Sequence, residues 1–203
     1  MAHYYYQKYP YFDYTYRDTD GLYTMFSIPP KMLATEFQKT FGVAPKSFFD
    51  CGAATGVIVY EAQKLGMDAR GIDIKKYPYQ HASIWELERL FDSGKIQIKS
   101  ILDCEPVHTD LAYCNGTLTY FTERELPLAL SKFRECKMLC AIHNTTEDVE
   151  AARKKGDELL TCNKTRLIRP QKWWMENFDK NGFITKYNDA LRCFIMTPRG
   201  HSR

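Results

Sequence analysis

Long apolar runs, closely paired cysteines, ordered histidine spacings and any strong excess of charge are all missing from this 203-residue chain. No stretch approaches the roughly 18 apolar residues of a membrane span. The start, Met-Ala-His-Tyr, has no basic segment followed by an apolar one. A soluble, unsecreted, cytoplasmic protein with no membrane partner is the expectation. Seven cysteines are an odd number and none sits in a CxxC pair, Cys136 and Cys140 coming nearest with three residues between them. A reduced, intracellular protein is the simplest reading. Five histidines (His3, His81, His108, His143 and His201) show no HxxxH or HExxH spacing, so no metal is expected. A formal charge of +3 leaves a nucleic-acid partner open without arguing for one.

What the chain does have is 44% hydrophobic and 14% aromatic residues, enough to bury one substantial core. Residues 1–26 read as a tyrosine-rich, extended arm, with seven tyrosines from Tyr4 to Tyr16 and a proline among them. Residues 27–203 read as a single domain. "SIPPKMLATEFQKTFG" gives a helix from Pro30 to a stop at Gly42. From there short apolar runs alternate with longer amphipathic ones, the pattern of strands joined by helices over a largely parallel sheet. "SFFDC", "DARGIDI", "KIQIKSIL", "DLAYC" and "MLCAIH" are the strands in order. Helices are expected over "TGVIVYEAQKLG", "YQHASIWELERLFDSG" and "ERELPLALSKFREC", the last capped by Thr122 with Glu125. Two further helices are expected at 147–159 and 170–180. "GFITKY" and "LRCFIMTP" around Asn188-Asp189 then close the chain as a hairpin.

The first strand runs into "DCGAATG", residues 50–56. Such a strand-to-helix turn is the usual ligand position in a parallel sheet, with helix-end amides facing the cleft. Small residues there let a ligand approach the backbone closely. A dinucleotide fingerprint would want small residues at 52, 54 and 57, but position 57 is valine. Asp50 would also repel a pyrophosphate, whereas a ligand carrying an ammonium group would gain an ion pair. Asp73 in "GIDI" comes about twenty residues later, where a carboxylate can accept from both ribose hydroxyls. Asp103 follows "IQIKSIL", so three successive strands are each read as ending in an aspartate. Any one of these could be a helix cap or a turn acid. In register with the small-residue loop, they point together to a nucleoside with an amino-acid-like arm.

With these motifs the sequence resembles the class I S-adenosylmethionine-dependent methyltransferases. "FFDCGAATG" is similar to the family's first motif, "GIDI" to its second, "ILD" to its third, and "TDLAYCNGTLTYF" to its fourth strand and following segment. The resemblance covers most of residues 46–198. It implies an α/β, Rossmann-like three-layer sandwich with a mostly parallel seven-stranded sheet and a C-terminal antiparallel hairpin, and S-adenosyl-L-methionine as cofactor. Carried over, Asp50 and the backbone of Cys51, Gly52, Ala53, Ala54 and Gly56 would hold the methionine part. Asp73 with Ile74 would hold the ribose, Leu102 with Asp103 the adenine, and Asn115 would line the cleft. Ala54 departs from the family, which often has glycine there, and binding is expected to survive the added methyl.

Methyl transfer from a sulfonium needs alignment and exclusion of water more than a fixed catalytic group. His143, at the end of the fifth strand, is the weak candidate for a base, beside its reading as a capped or solvent-facing residue. Tyr120, His143, Arg169 and Trp173 are the candidates for binding the acceptor. Lys164, Arg166, Arg169 and Lys172 precede Trp173 and Trp174, at least one of which is expected in the core. The [DN]PP[YF] pattern of adenine amino-methylation is absent, that position reading "CNGT", and no Pro-Cys pair suits cytosine chemistry. The leading expectation is transfer to a small-molecule acceptor. A nucleic-acid methyltransferase and a cofactor-binding module without turnover are the alternatives.

Overall fold

The computed structural model describes residues 12–18, 21–76, 85–143, 145–154 and 167–200, with backbone alone at 12–18, 21–26, 85–88 and 152–153. Two strands, β1 (Phe12–Asp18) and β2 (Gly21–Ser27), pair antiparallel from Phe12↔Ser27 to Asp18↔Gly21. The expected extended arm is therefore a hairpin over these residues. The first eleven residues, with five of the seven tyrosines, lie outside the described ones.

Pro30 opens helix α1 (Pro30–Phe41) because Pro29, held extended by the proline after it, supplies a ready N-cap. The helix buries Leu33 and Phe37 and stops at Gly42, whose φ of 75° is left-handed and whose N–H returns to the Gln38 carbonyl. The chain then runs β3 (Ser47–Cys51), α2 (Val57–Lys64), β4 (Asp68–Asp73), α3 (Trp85–Asp92), β5 (Ile96–Ile98) and β6 (Leu111–Asn115). After β6 come α4 (Leu126–Ser131), β7 (Met138–Ile142), α5 (Thr146–Lys154), α6 (Gln171–Lys180), β8 (Phe183–Asn188) and β9 (Cys193–Pro198).

Seven strands make one sheet in the order β5-β4-β3-β6-β7-β9-β8. The first five are parallel, and β9 enters antiparallel between β7 and β8. Both faces are covered, which is why the central strands read as nearly unbroken apolar runs. Phe48, Leu111, Tyr113, Met138, Cys140 and Ile195 pack with α1 and α2 on one face. Cys51, Ala112, Cys114, Leu139, Ala141 and Phe194 pack with Phe133, Trp174 and Phe178 on the other. Trp174 is wholly buried, so one tryptophan of the pair is core as expected. The strand around Cys114 likewise buries that thiol completely. Among the described residues no helix is long and apolar enough to cross a membrane.

Two further elements differ from the sequence expectation. The strand at "KIQIKSIL" ends at Ile98, and Ile101–Asp103 is a 3-10 turn, because the Ser100 hydroxyl accepts from the Leu102 N–H and curls the chain. Asp103 therefore follows the strand instead of ending it. The helix expected over "ERELPLALSKFREC" is regular only at Leu126–Ser131, although Thr122 and Glu125 form the anticipated reciprocal cap. Residues 155–166 of the connection after α5, including Lys164 and Arg166, lie outside the described residues.

Candidate functional site

Asp50 is the penultimate residue of β3, in register with Gly71 on β4 and Tyr113 on β6. The strand ends one residue later, and Gly52 and Ala53 both donate their amides to the Ile72 carbonyl at 2.9 Å. That folds the loop across the end of β4. There the Asp73 carboxylate accepts the Ala54 amide at 2.7 Å and, more weakly, the Lys75 amide at 3.3 Å. Gly56 returns its amide to Ala53 and serves as N-cap of α2 without a side chain. The Gly52, Ala53, Ala54 and Gly56 amides are thus all taken within the protein. The loop presents small side chains beside two buried acids.

Gly52 and Gly56 have φ of 89° and 87°, and Ala54 stands between them at 48°. A Cβ on Gly52 would lie 1.9 Å from the Thr117 hydroxyl, and one on Gly56 would lie 2.5 Å from Ile96 Cδ1. Gly56 is therefore small because its left-handed φ and the Ile96 and Leu90 side chains leave a Cβ no room. Ala54 carries its side chain in a backbone region that costs an L-residue about 1 kcal/mol or more. Ala54→Gly is expected to raise stability by about 0.5–1 kcal/mol, the lost strain outweighing glycine's extra unfolded entropy. Urea denaturation of the two proteins checks this, and a less stable glycine variant would show that the alanine is unstrained.

Asp50 is 2% exposed and Asp73 8%. Burial, and after it the charge of Asp73, pushes the Asp50 carboxyl up to about 8. Burial also raises Asp73, partly offset by the Ala54, Lys75 and Ile74 amides. No lysine or arginine among the described residues forms an ion pair with either acid, so the pair suits a ligand that brings positive charge and hydroxyl donors. Ile74 follows with its side chain exposed, and Ile98 of β5, the register partner of Asp73, is exposed as well. Leu102, half-buried, and Asp103, exposed, occupy the 3-10 turn after β5. Asn115 ends β6 and donates to the buried Ser27 hydroxyl at 2.7 Å, tying the base of the N-terminal hairpin to the carboxyl end of the sheet.

The acceptor-side candidates separate. His143 does follow β7, but its side chain turns into the core and is 6% exposed. Its ring stacks on Phe194 at 4.6 Å and 9° and lies 3.9 Å from the ring of Trp174. Neither ring nitrogen has a hydrogen-bond partner among the described residues, and burial pushes its pKa down to about 3. A neutral imidazole of that kind is a poor base. Tyr120 is 59% exposed on the 3-10 turn Thr117–Tyr120. Arg169 pairs with Glu123 at 2.6 Å and sits 5.8 Å over the Trp173 ring. Sequence reasoning missed Ser27 and Thr117. The Thr117 hydroxyl donates to the Cys51 carbonyl at 2.8 Å from 66 residues away, a separation no local pattern encodes.

No protein-family model matches the chain, and no curated protein matches its sequence. Solved structures do match in fold. The plantazolicin methyltransferase BpumL, in complex with SAH, has a TM-score of 0.60 at 13% identity over 83% of this chain and 82% of its own. The sugar N-methyltransferase KedS8 from Streptoalloteichus sp. scores 0.59 at 11% identity, over 83% of this chain and 86% of its own. Human N-acetylserotonin methyltransferase, in complex with SAM, scores 0.57 at 14% identity over 83% of this chain but 51% of its own. With the strand order, the reversed β9 and the loop between Asp50 and Asp73, these likenesses give the chain the fold of the class I S-adenosylmethionine-dependent methyltransferases.

Proposed function

We propose that the chain is an S-adenosylmethionine-dependent methyltransferase whose acceptor is a small molecule. One observation carries the reading: Asp50 and Asp73 are buried at the carboxyl ends of adjacent parallel strands beside the glycine loop, with no ion pair to either among the described residues. That donor set fits a cofactor with a ribose diol, an ammonium and a sulfonium, and opposes one with a pyrophosphate. Asp73 would accept from the ribose, Asp50 and residues 51–56 would face the methionine part, and Leu102 with Asp103 would meet the adenine. Ile74 would lie against the nucleoside, and Asn115 would line the cleft. The bound cofactor supplies an electrophilic methyl group.

The residues on the acceptor side hold and orient. His143 is buried and neutral, which favours transfer by alignment and exclusion of water over proton removal by a side chain. Tyr120, Arg169 and Trp173 would rim the acceptor, and the charge of Arg169 is already matched by Glu123, which favours an uncharged group there over a phosphate backbone. Small-molecule transfer also agrees with neighbours named as sugar and N-acetylserotonin methyltransferases.

Calorimetry with S-adenosylmethionine and S-adenosylhomocysteine tests the cofactor, followed by transfer of labelled methyl into fractionated small-molecule, protein and nucleic-acid pools. Binding of both ligands and label in the small-molecule pool are expected. Binding of neither removes the assignment. Label confined to nucleic acid replaces the acceptor with that of the alternative reading.

A further inference from the structure

Thr117 stands on the first turn after β6, on the acceptor side, yet its hydroxyl acts on the loop after β3. It donates to the Cys51 carbonyl at 2.8 Å and occupies the place where a side chain on Gly52 would begin. The peptide between these residues sets the direction in which the loop leaves the strand. Gly52 then takes φ 89°, and its amide and that of Ala53 reach Ile72. Asp73 holds the middle of the loop through Ala54. Thr117 holds its start.

The same short turn makes two other ties. Asn115 bonds Ser27 at the base of the N-terminal hairpin, and the Thr119 carbonyl accepts from Leu167 at 2.9 Å, just before Arg169. Residues 115–119 therefore join the glycine loop to the two segments that flank the acceptor side. We infer that Thr117 is a positioning residue for the cofactor, setting the glycine loop through the Cys51 carbonyl and locking it to the acceptor-side turn. The inference rests on the methyltransferase reading, because it is that cofactor's fit to the loop that Thr117 sets.

Valine keeps the shape of threonine but replaces the donor with a methyl. A methyl carbon packs at about 3.5 Å or more from its neighbours, so it would push the Cys51 carbonyl back by more than half an ångström. Displacements on that scale matter in a preorganised site. Thr117→Val is expected to weaken S-adenosylmethionine binding about five- to tenfold, as the loss of one hydrogen bond with some misplacement implies. Thr117→Ser, which keeps the hydroxyl, should stay within about twofold of the parent chain. Ser47→Ala is the control, since Ser47 accepts from Asp110 at the opposite end of β3 and its loss should lower the melting temperature without moving the affinity.

Calorimetry and thermal melts on the parent chain and the three variants give the result. Affinity lost in Thr117→Val, kept in Thr117→Ser and kept in a destabilised Ser47→Ala supports the positioning role. Affinity in Thr117→Val within twofold of a parent chain that binds, or an equal loss in Ser47→Ala, overturns it. A parent chain that binds neither S-adenosylmethionine nor S-adenosylhomocysteine removes the methyltransferase reading and the inference together.

Discussion

Replacing Asp73 with alanine is expected to weaken binding of S-adenosylmethionine and S-adenosylhomocysteine about a hundredfold. On the proposed reading the carboxylate accepts from two ribose hydroxyls, and hydrogen bonds to a charged group contribute about 1.5 kcal/mol or more each. The substitution also frees the Ala54 amide, which Asp73 holds at 2.7 Å, so the loop between Gly52 and Gly56 loses its central anchor. Asp73→Asn separates the two effects. Its remaining carbonyl oxygen can still accept from Ala54, and the second oxygen becomes a donor, so the fold should persist while affinity falls about tenfold. Calorimetry with both ligands, beside thermal melts of each variant, decides the matter. Unchanged binding in Asp73→Ala would mean that the ribose is not held at this acid.

The parts of the site that were legible in sequence are those fixed by local chemistry and strand order. Asp50 and Asp73 could be placed because each stands at or next to the carboxyl end of a short segment read as a parallel strand, the end at which such sheets commonly bind ligands. The helix from Pro30 to Gly42 could be bounded because proline fixes its start and a left-handed glycine its end. Asp103 was harder. "KIQIKSIL" alternates from Lys95 to Lys99 and then breaks, with Lys99 and Ser100 both polar and Ile101 and Leu102 both apolar, and beyond the strand end at Ile98 the Ser100 hydroxyl captures the Leu102 amide. Alternation carries no information on which side-chain oxygen competes with the ladder.

Other features depend on contacts across the fold. The spacing of the glycine loop shows that a turn is needed, but not that Ile72 and Asp73 consume the amides of Gly52, Ala53 and Ala54. His143 reads as a strand-end residue open to solvent until α6, some thirty residues later, lays Trp174 across it. Thr117 is invisible for the same reason, since its partner is a backbone carbonyl on another strand. Cys51 and Cys114 are register neighbours on β3 and β6, yet their spacing suggests nothing about it. Long-range positioning of this kind is where sequence patterns stop.

Two buried groups of opposite behaviour should give the ligand-free chain an unusual pH profile. Asp50 rises in the fold from 3.8 to about 8, so it keeps its proton after the unfolded chain has lost one. Stability therefore falls with pH across that window, by about 1.4 kcal/mol per unit, and levels above it. Asp73, also raised, adds to the fall. His143 drops from 6.5 to about 3, so the unfolded chain binds the extra proton and stability rises with pH between those values. The two slopes oppose one another from about pH 4 to 6.5. From 6.5 to 8 the acids are the shifted groups that act among the described residues, because the lowered Asp68, Asp110 and Glu147 matter below their ordinary values and the raised cysteines above theirs. The chain is expected to lose about 2 kcal/mol over that interval. Asp50→Asn should largely flatten it and melt above the parent chain at pH 8, whereas His143→Phe should extend the fall down to about pH 4. Melting curves of the three proteins between pH 4 and 9 test this. A parent melting temperature that climbs from pH 6.5 to 8, or an Asp50→Asn profile parallel to it, would show that Asp50 is ionised in the fold.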